Sequence, residues 1–317
     1  MGKYLVKRLL LIIPTLFIVC AITFALMRMV PMSAVDVIVN KLVAAGTMVD
    51  EADVEAMLGL DKPAIQQFFI WLWDVIRGDL GDSYFDYVPV SQIILEKLPA
   101  TLELSILTLI ITNVISIPLG LYCAARQDTV SDYTIRIISI IFISMPQFWL
   151  ATLILIYPNL WWGWAPQMTY VSFLEAPLAN LEMFLIPAIL SGIATAGGQL
   201  RTVRTMTLEV MRQDYIRTAW SKGMPERQIM FKYAFRNAMI PIFTMIGSSV
   251  GRLMSGNVIM ETIFNIPGLG TALVNALNTR DYPIVQGVTL ILSFFVLFVN
   301  VLVDIGYKVI DPRVRID

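Results

Sequence analysis

The 317-residue chain is 57% hydrophobic and only 15% charged, with a mean hydropathy of +0.72 and a formal net charge of −1. Soluble domains carry about a quarter charged residues, so this balance excludes an ordinary soluble globular fold. The chain has no histidine, which removes the commonest metal ligand and the usual near-neutral proton carrier.

Apolar runs of about twenty residues recur, each long enough to cross a bilayer core of about 30 Å. Backbone groups in lipid must be satisfied internally, and these runs lack the period-two alternation of barrel strands. The expected class is an all-α integral membrane protein. The first span is expected over Leu9–Met29, behind the basic start Lys3, Lys7 and Arg8. Met27 to Pro31 is bulky and offers no small-residue cleavage site, so this run reads as a retained span rather than a signal peptide.

The segment 31–100 is too long for a simple connector. Asp50 can cap a helix through Leu58, with Glu51, Asp53 and Glu55 near its positive end. Pro63 suits a first helical position, and Ile65, Phe68, Phe69, Leu72 and Ile76 form an apolar stripe beyond it. A small helical subdomain outside the bilayer is therefore expected. Twelve acidic residues lie between Asp36 and Glu103, in keeping with a solvated segment.

Five further spans are expected over Leu102–Ala125, Ile135–Tyr157, Met183–Thr205, Ala238–Met260 and Ile284–Val303. This divides the chain into a first helix (1–30), the external subdomain (31–100), a five-helix core (101–308) with a protruding loop at 206–237, and a tail (309–317). Pro118, Pro146 and Pro187 should kink or begin spans, and Pro241 should mark the entry to the fifth. Cys20 and Cys123 fall inside apolar runs and read as small packing hydrophobes rather than a disulfide pair.

Lys and Arg are sorted along the chain. The amino end, 126–136, 201–236 and the tail from Lys308 hold sixteen of the 23, and the intervening segments hold seven. With six spans, the positive-inside rule puts both termini and the 201–236 loop in the cytoplasm. Within that loop, Glu209 to Gly223 reads as a short helix stopped by glycine, and Pro225 starts a second helix from Glu226 to about Asn237. Tyr215, Ala219 and Lys222 share one face of the first helix, a plausible surface for docking into a groove. The alternative is a basic loop that only fixes topology or lies on anionic lipid.

The run Arg217 to Gly223, followed by Ala238-Met239-Ile240-Pro241, resembles the EAA loop of ABC importer permeases. More narrowly, Arg212 to Gly223 and Arg236 to Pro241 resemble the dipeptide/oligopeptide/nickel permease family, in its first-permease branch. Leu58–Pro63, Gly78–Ser83, Leu98–Leu104, Glu261–Gly270 and Arg280–Pro283 match that branch in order along nearly the whole chain. Three departures stand out: Arg217-Thr218 in place of the general Glu-Ala, Trp220 at a usually small or charged position, and Pro31-Met32-Ser33 in place of Pro-Gly-Asp.

The resemblance implies a six-helix permease of the type I importer kind in a bacterial or archaeal plasma membrane. It implies pairing with a second homologous permease and two nucleotide-binding subunits, which bind ATP and Mg. An external substrate-binding protein delivers the cargo, membrane lipid surrounds the spans, and no nucleic acid is involved. Asp214, Tyr215, Arg217, Thr218, Ala219, Lys222 and Gly223 would form the ATPase-coupling loop. No Gly-x-x-x-x-Gly-Lys-Ser/Thr occurs, since Gly197-Gly198 is followed by Gln199-Leu200-Arg201, so no cofactor is expected on this chain and it is not expected to be an enzyme.

Cargo should pass polar residues at membrane depth, and the candidates are Asn113, Gln147, Gln199, Ser248, Ser249, Arg252, Ser255 and Asn257. Helix–helix hydrogen bonding is the competing role for each. Arg252 could meet a cargo carboxylate, pair with Glu261 or Asp281, or snorkel outward. Peptides are the leading cargo class, with nickel or another small solute as the alternative. A self-sufficient secondary transporter would show paired mid-membrane carboxylates or an inverted repeat with broken helices, and these spans almost entirely lack carboxylates; a membrane enzyme would need a nucleophile–base constellation.

Overall fold

The computed structural model describes residues 2–46 and 49–310, with side chains described except at 2–7, 240, 252–256, 304 and 307–310. The described residues are helical and contain no strand. In chain order the helices are α1 (Gly2–Met29), α2 (Ala34–Ala44), α3 (Glu51–Met57), α4 (Ala64–Ile76), α5 (Val90–Ala125), α6 (Val130–Ser144) and α7 (Gln147–Trp162). They continue with α8 (Pro177–Met211), α9 (Asp214–Ser221), α10 (Glu226–Gln228), a π-helix (Ile229–Phe235), α11 (Arg236–Gly256), α12 (Val258–Ile263), α13 (Leu269–Thr279) and α14 (Tyr282–Ile310).

Four helices, α1, α5, α8 and α14, contain segments long and apolar enough to cross a membrane. A fifth span results if α6 and α7 are counted together, although they meet at 88°. The single third span expected over Ile135–Tyr157 is therefore broken. Pro146 has no N–H and disfavours helical backbone in the residue before it, and Met145 is extended at ψ 127°. The helix expected as the fifth span lies within α11 (Arg236–Gly256), whose described apolar stretch is Pro241–Gly251.

The residues divide into two compact units. One holds the chain up to Thr101 together with Pro267–Leu297, and the other holds Leu102–Ile266 with the remainder of α14.

In the first unit, local caps set the short helices. Ser33 caps α2 in a reciprocal box: Ser33 N–H donates to Asp36 Oδ2 at 2.6 Å and Asp36 N–H donates to Ser33 Oγ at 3.2 Å. Asp50 Oδ1 accepts from Ala52 N–H at 3.2 Å and starts α3, as expected. Pro63 sits one residue before α4 rather than inside it. Of the stripe expected on α4, only Phe68 is buried, edge-to-face against Phe24, while Ile65, Phe69 and Ile76 are more than half exposed. Gln66, Gln67 and Asp74 mark one polar side of α4, and the apolar remainder is wider than the contact that buries Phe68.

The core of this unit joins Val90, Ile93 and Ile94 of α5 to Leu269 and Ala276 of α13 and to Ile284, Val285 and Val288 of α14. Outside the bilayer a fully buried Val, Leu or Ile stabilises the fold by roughly 1.5–3 kcal/mol relative to exposure to water, whereas within the span close packing supplies the contact energy. Two polar contacts fix the register. Leu269 N–H donates to Thr101 Oγ1 at 2.8 Å, and the Asp281 carboxylate accepts from Ser83 Oγ at 2.5 Å and from Tyr84 N–H at 3.3 Å.

In the second unit, Ser105, Thr108, Thr112 and Ser116 line one buried face of α5 at three- and four-residue spacing. Thr112 Oγ1 donates to the Gly192 carbonyl of α8 at 3.3 Å. A Cβ on Gly192 would stand 2.7 Å from Ile111 Cγ2, so glycine is what lets these two helices approach. The α6–α8 contact is locked by a bidentate ion pair. Arg204 Nε donates to Asp132 Oδ1 at 2.9 Å and Arg204 Nη2 donates to Asp132 Oδ2 at 2.7 Å, with the Asp132 side chain fully buried.

Candidate functional site

The segment between α8 and α11 folds as a small two-helix knob around its own buried cluster. The helix expected from Glu209 is interrupted: α8 runs to Met211, the chain turns at Arg212-Gln213, and α9 begins at Asp214. Thr218 and Ser221 hydroxyls donate back to the Asp214 and Arg217 carbonyls, and Asp214 and Arg217 form an exposed pair at 3.6 Å.

Gly223 ends α9 with φ +72°, its N–H donating to the Trp220 carbonyl at 2.9 Å while Met224 N–H reaches back to the Ala219 carbonyl at 3.3 Å. That left-handed stop follows from the residue type. Glu226 begins the next helix behind Pro225, as expected, but that helix does not end near Asn237. It passes through the π-helix into α11 without a break. The change of geometry thus falls before Arg236 rather than at Pro241, which lies inside α11. Asn237 Nδ2 donates to the Tyr233 carbonyl at 2.6 Å, taking up a backbone acceptor from the wide turns.

Ile216, Ala219 and Ile229 are buried together, flanked by Met211, Met224 and Tyr233. Ala219 therefore points into the knob and lets the π-helix pack closely against α9; it is not on the open face. Asp214, Tyr215, Arg217, Thr218, Lys222 and Gly223 are exposed, as is Trp220 at 45%. Tyr215 and Trp220 supply large amphipathic area beside two cations, a composition suited to a protein interface.

The polar candidates along the spans separate by what they touch. Gln199 Nε2 donates to Asn113 Oδ1 at 2.7 Å, and Asn113 Nδ2 donates to the Leu109 carbonyl at 2.7 Å. Gln199 Oε1 is buried with no hydrogen-bond partner. Asn257 is buried with Nδ2 3.4 Å from Ser105 Oγ, and Ser249, also buried, donates to the Met245 carbonyl at 2.8 Å. Ser248 is exposed, its hydroxyl returned to the Thr244 carbonyl at 3.0 Å, and Gln147 is half-buried as the first residue of α7. The Arg252 and Ser255 side chains lie outside the described residues, and so does the suggested pairing of Arg252; Asp281 accepts from Ser83 and Tyr84.

Sequence reasoning missed the Asp132–Arg204 pair, whose signal was opposite charges at the ends of two expected spans. It also missed the polar residues around Arg28. Arg28 Nη2 donates to Gln67 Oε1, and its guanidinium lies 3.4 Å from the centroid of the Phe24 ring.

Residues 116–316 match the model of the binding-protein-dependent transport system inner membrane component, and residues 1–105 match that of the corresponding N-terminal component. A Brucella abortus (strain 2308) protein, provisionally named a peptide transport system permease, is 40% identical over 317 residues, covering 100% of both chains. The dipeptide transport system permease protein DppB of Escherichia coli (strain K12) is 34% identical over 338 residues, covering 99% of both chains. An all-helical multi-pass architecture matched end to end in this way identifies the chain as a member of the binding-protein-dependent transport system inner membrane component family.

Proposed function

We propose that the chain is the pore-forming permease subunit of an ABC importer for di- or oligopeptides. The observation that carries this reading is the end-to-end similarity to a dipeptide permease at 34% identity, with no segment of either chain left over beyond one per cent. On this reading six spans cross the plasma membrane, α6–α7 serving as one broken span and α11 as another, with both termini and the knob in the cytoplasm. A second permease completes the pore, and an external binding protein delivers cargo. ATP and Mg are bound by two separate ATPase subunits, and this chain has no catalytic role.

The knob is the coupling element. ATP can bias a pore only through different affinities for its two states, so the contact between ATPase and permease must be stiff. The buried cluster of Ile216, Ala219 and Ile229 supports that stiffness, holding Tyr215, Arg217, Thr218, Trp220 and Lys222 outward on a fixed backbone. Among the polar candidates, Ser248 and Gln147 are free to line the path, whereas Gln199, Ser249 and Asn257 serve helix packing. Co-purification of the subunits followed by reconstituted uptake tests the reading: a labelled dipeptide should accumulate only with ATP and the binding protein. Uptake without ATP, or purification without an ATPase partner, would sink it.

A further inference from the structure

Around the C-terminal end of α1, the first unit forms a partly open cavity of about 260 Å³ whose charged lining is Arg28, Lys62, Asp74 and Asp82. Arg28, at the last turn of α1, lines it and forms no ion pair with any described residue; its described contacts are the Gln67 side chain, the Phe24 carbonyl and the rings of Phe24 and Tyr282. Gln286 of α14 lines the same cavity with only 5% of its surface exposed, and its amide has no described hydrogen-bond partner. The indole N–H of Trp71 is buried and likewise unpartnered. Tyr84 and Tyr282 complete the aromatic wall. Burial pushes the Tyr84 phenol up to about 12, so its hydroxyl stays protonated.

Buried donors left unpaired are unfavourable unless something else accepts from them. Arg28 makes no ion pair among the described residues, and with the Gln286 amide and the buried indole N–H of Trp71 it offers donors that an added acceptor would satisfy. Its planar aromatic surround favours an anion carried on an apolar body over a bare inorganic ion. Lys62, Asp74 and Asp82 also line the cavity, so both signs of charge are present, which suits a zwitterion. The volume fits about one residue-sized group.

We infer that this cavity is a binding site for the C-terminal carboxylate and last side chain of a short peptide, with Arg28, Gln286 and Trp71 as its donors. The inference rests on the peptide reading above for the identity of the acid. It places a cargo contact at the C-terminal end of α1, on residues of the first unit.

The test uses the assembled importer in nanodiscs without its binding protein, titrated with the dipeptide Ala-Phe as free acid and as C-terminal amide while tryptophan emission is followed. The free acid should give a saturable change that is absent in Trp71→Phe, and the amide should bind about tenfold more weakly or worse, the loss expected for one charge-assisted hydrogen bond. Arg28→Gln should weaken the free acid by at least that factor. Because Arg28 also holds Gln67, Gln286→Leu is the decisive variant: it removes no described hydrogen bond, so it should leave the protein folded and weaken the acid alone.

Equal affinity for acid and amide, wild-type binding by Gln286→Leu, or no saturable signal would each overturn the site. So would a phospholipid retained by the wild type, lost from Arg28→Gln in native mass spectrometry and not displaced by peptide, since it would assign the donors to a lipid phosphate. ATP-driven uptake of Ala-Phe is measured on the same preparation with the binding protein added. Uptake without a cavity signal overturns the site and leaves the importer reading standing, whereas loss of both overturns the two together.

Discussion

Substitution of Gly223 isolates the coupling role of the knob from its folding. The residue sits at φ +72°, and a Cβ built there meets nothing within 4 Å, so steric clash with neighbours contributes nothing. What remains is backbone strain: about 1–2 kcal/mol for alanine in the left-handed region and about 2–3 kcal/mol for a β-branched residue. Against the roughly 5–15 kcal/mol that holds a folded domain together, neither change should unfold the protein or prevent membrane insertion. If the strain is relieved by leaving the native turn, each 1.4 kcal/mol lowers the population of the competent knob up to tenfold. Gly223→Ala should therefore reduce cargo-stimulated ATP hydrolysis by at most about 5- to 30-fold and Gly223→Val by up to about 150-fold. Gly223→Asn should fall closest to wild type because asparagine tolerates this conformation. The assay is ATP turnover and dipeptide uptake in proteoliposomes, with thermal unfolding in parallel. Normal stimulated hydrolysis in Gly223→Val, with the chain folded and inserted, would refute the assignment of this turn to coupling.

The two faces of α9 should respond differently. Tyr215→Ala removes an exposed ring and should leave the melting temperature within the small range typical of surface changes while impairing stimulated hydrolysis; Ala219→Leu overfills the buried contact with Ile216 and Ile229 and should cost about 1–3 kcal/mol of stability as well. Asp132→Asn leaves Arg204 without its buried partner and should lower stability by about 3–5 kcal/mol, read as a drop in unfolding temperature in detergent that Arg204→Met in the same chain partly reverses. Burial is the main influence on Asp281 and raises its pKa above the ordinary carboxylate value, against the pull of the Ser83 and Tyr84 hydrogen bonds. A raised folded-state pKa means the native state binds the proton more readily, so this contribution is full below the unfolded value of 3.8 and is lost as pH rises through the folded one. Asp281→Asn should therefore flatten that part of the pH dependence of unfolding; an unchanged slope above pH 4 would refute it.

Hydropathy identified the apolar segments but not the helices that contain them. Val90–Ala125 begins twelve residues before its expected span because Glu96 and Lys97 exclude lipid without discouraging a helix. Proline was equally ambiguous: Pro14 and Pro187 lie inside continuous helices, whereas Pro146 sits at an 88° break. The residue type is the same, and the outcome depends on whether neighbouring groups satisfy the freed carbonyl. Caps were more legible, since Asp50 and Gly223 act through their own local chemistry. On α9, apolar or aromatic residues occupy both faces, so spacing alone could not tell that Ala219 turns inward with Ile216 while Tyr215 turns out. The pairs Ser83–Asp281, Thr101–Leu269, Asn113–Gln199 and Asp132–Arg204 join residues at least 72 positions apart, and no local pattern announces such partners.

The π-helix at Ile229–Phe235 has a consequence for how the chain tolerates change in length. A wide turn holds one more residue than an α-turn, and an α-helix advances about 100° per residue. Loss of a single residue within 229–235 can be absorbed by tightening to α geometry, leaving the buried side of α9 and the packed side of α11 each in phase with its own neighbours. The same loss a few turns later would swing Ser249 and Gly247 out of their contacts by that angle. The segment therefore acts as a phase buffer between the knob and the span. Length variation among related chains should collect there, where it leaves the two faces in register.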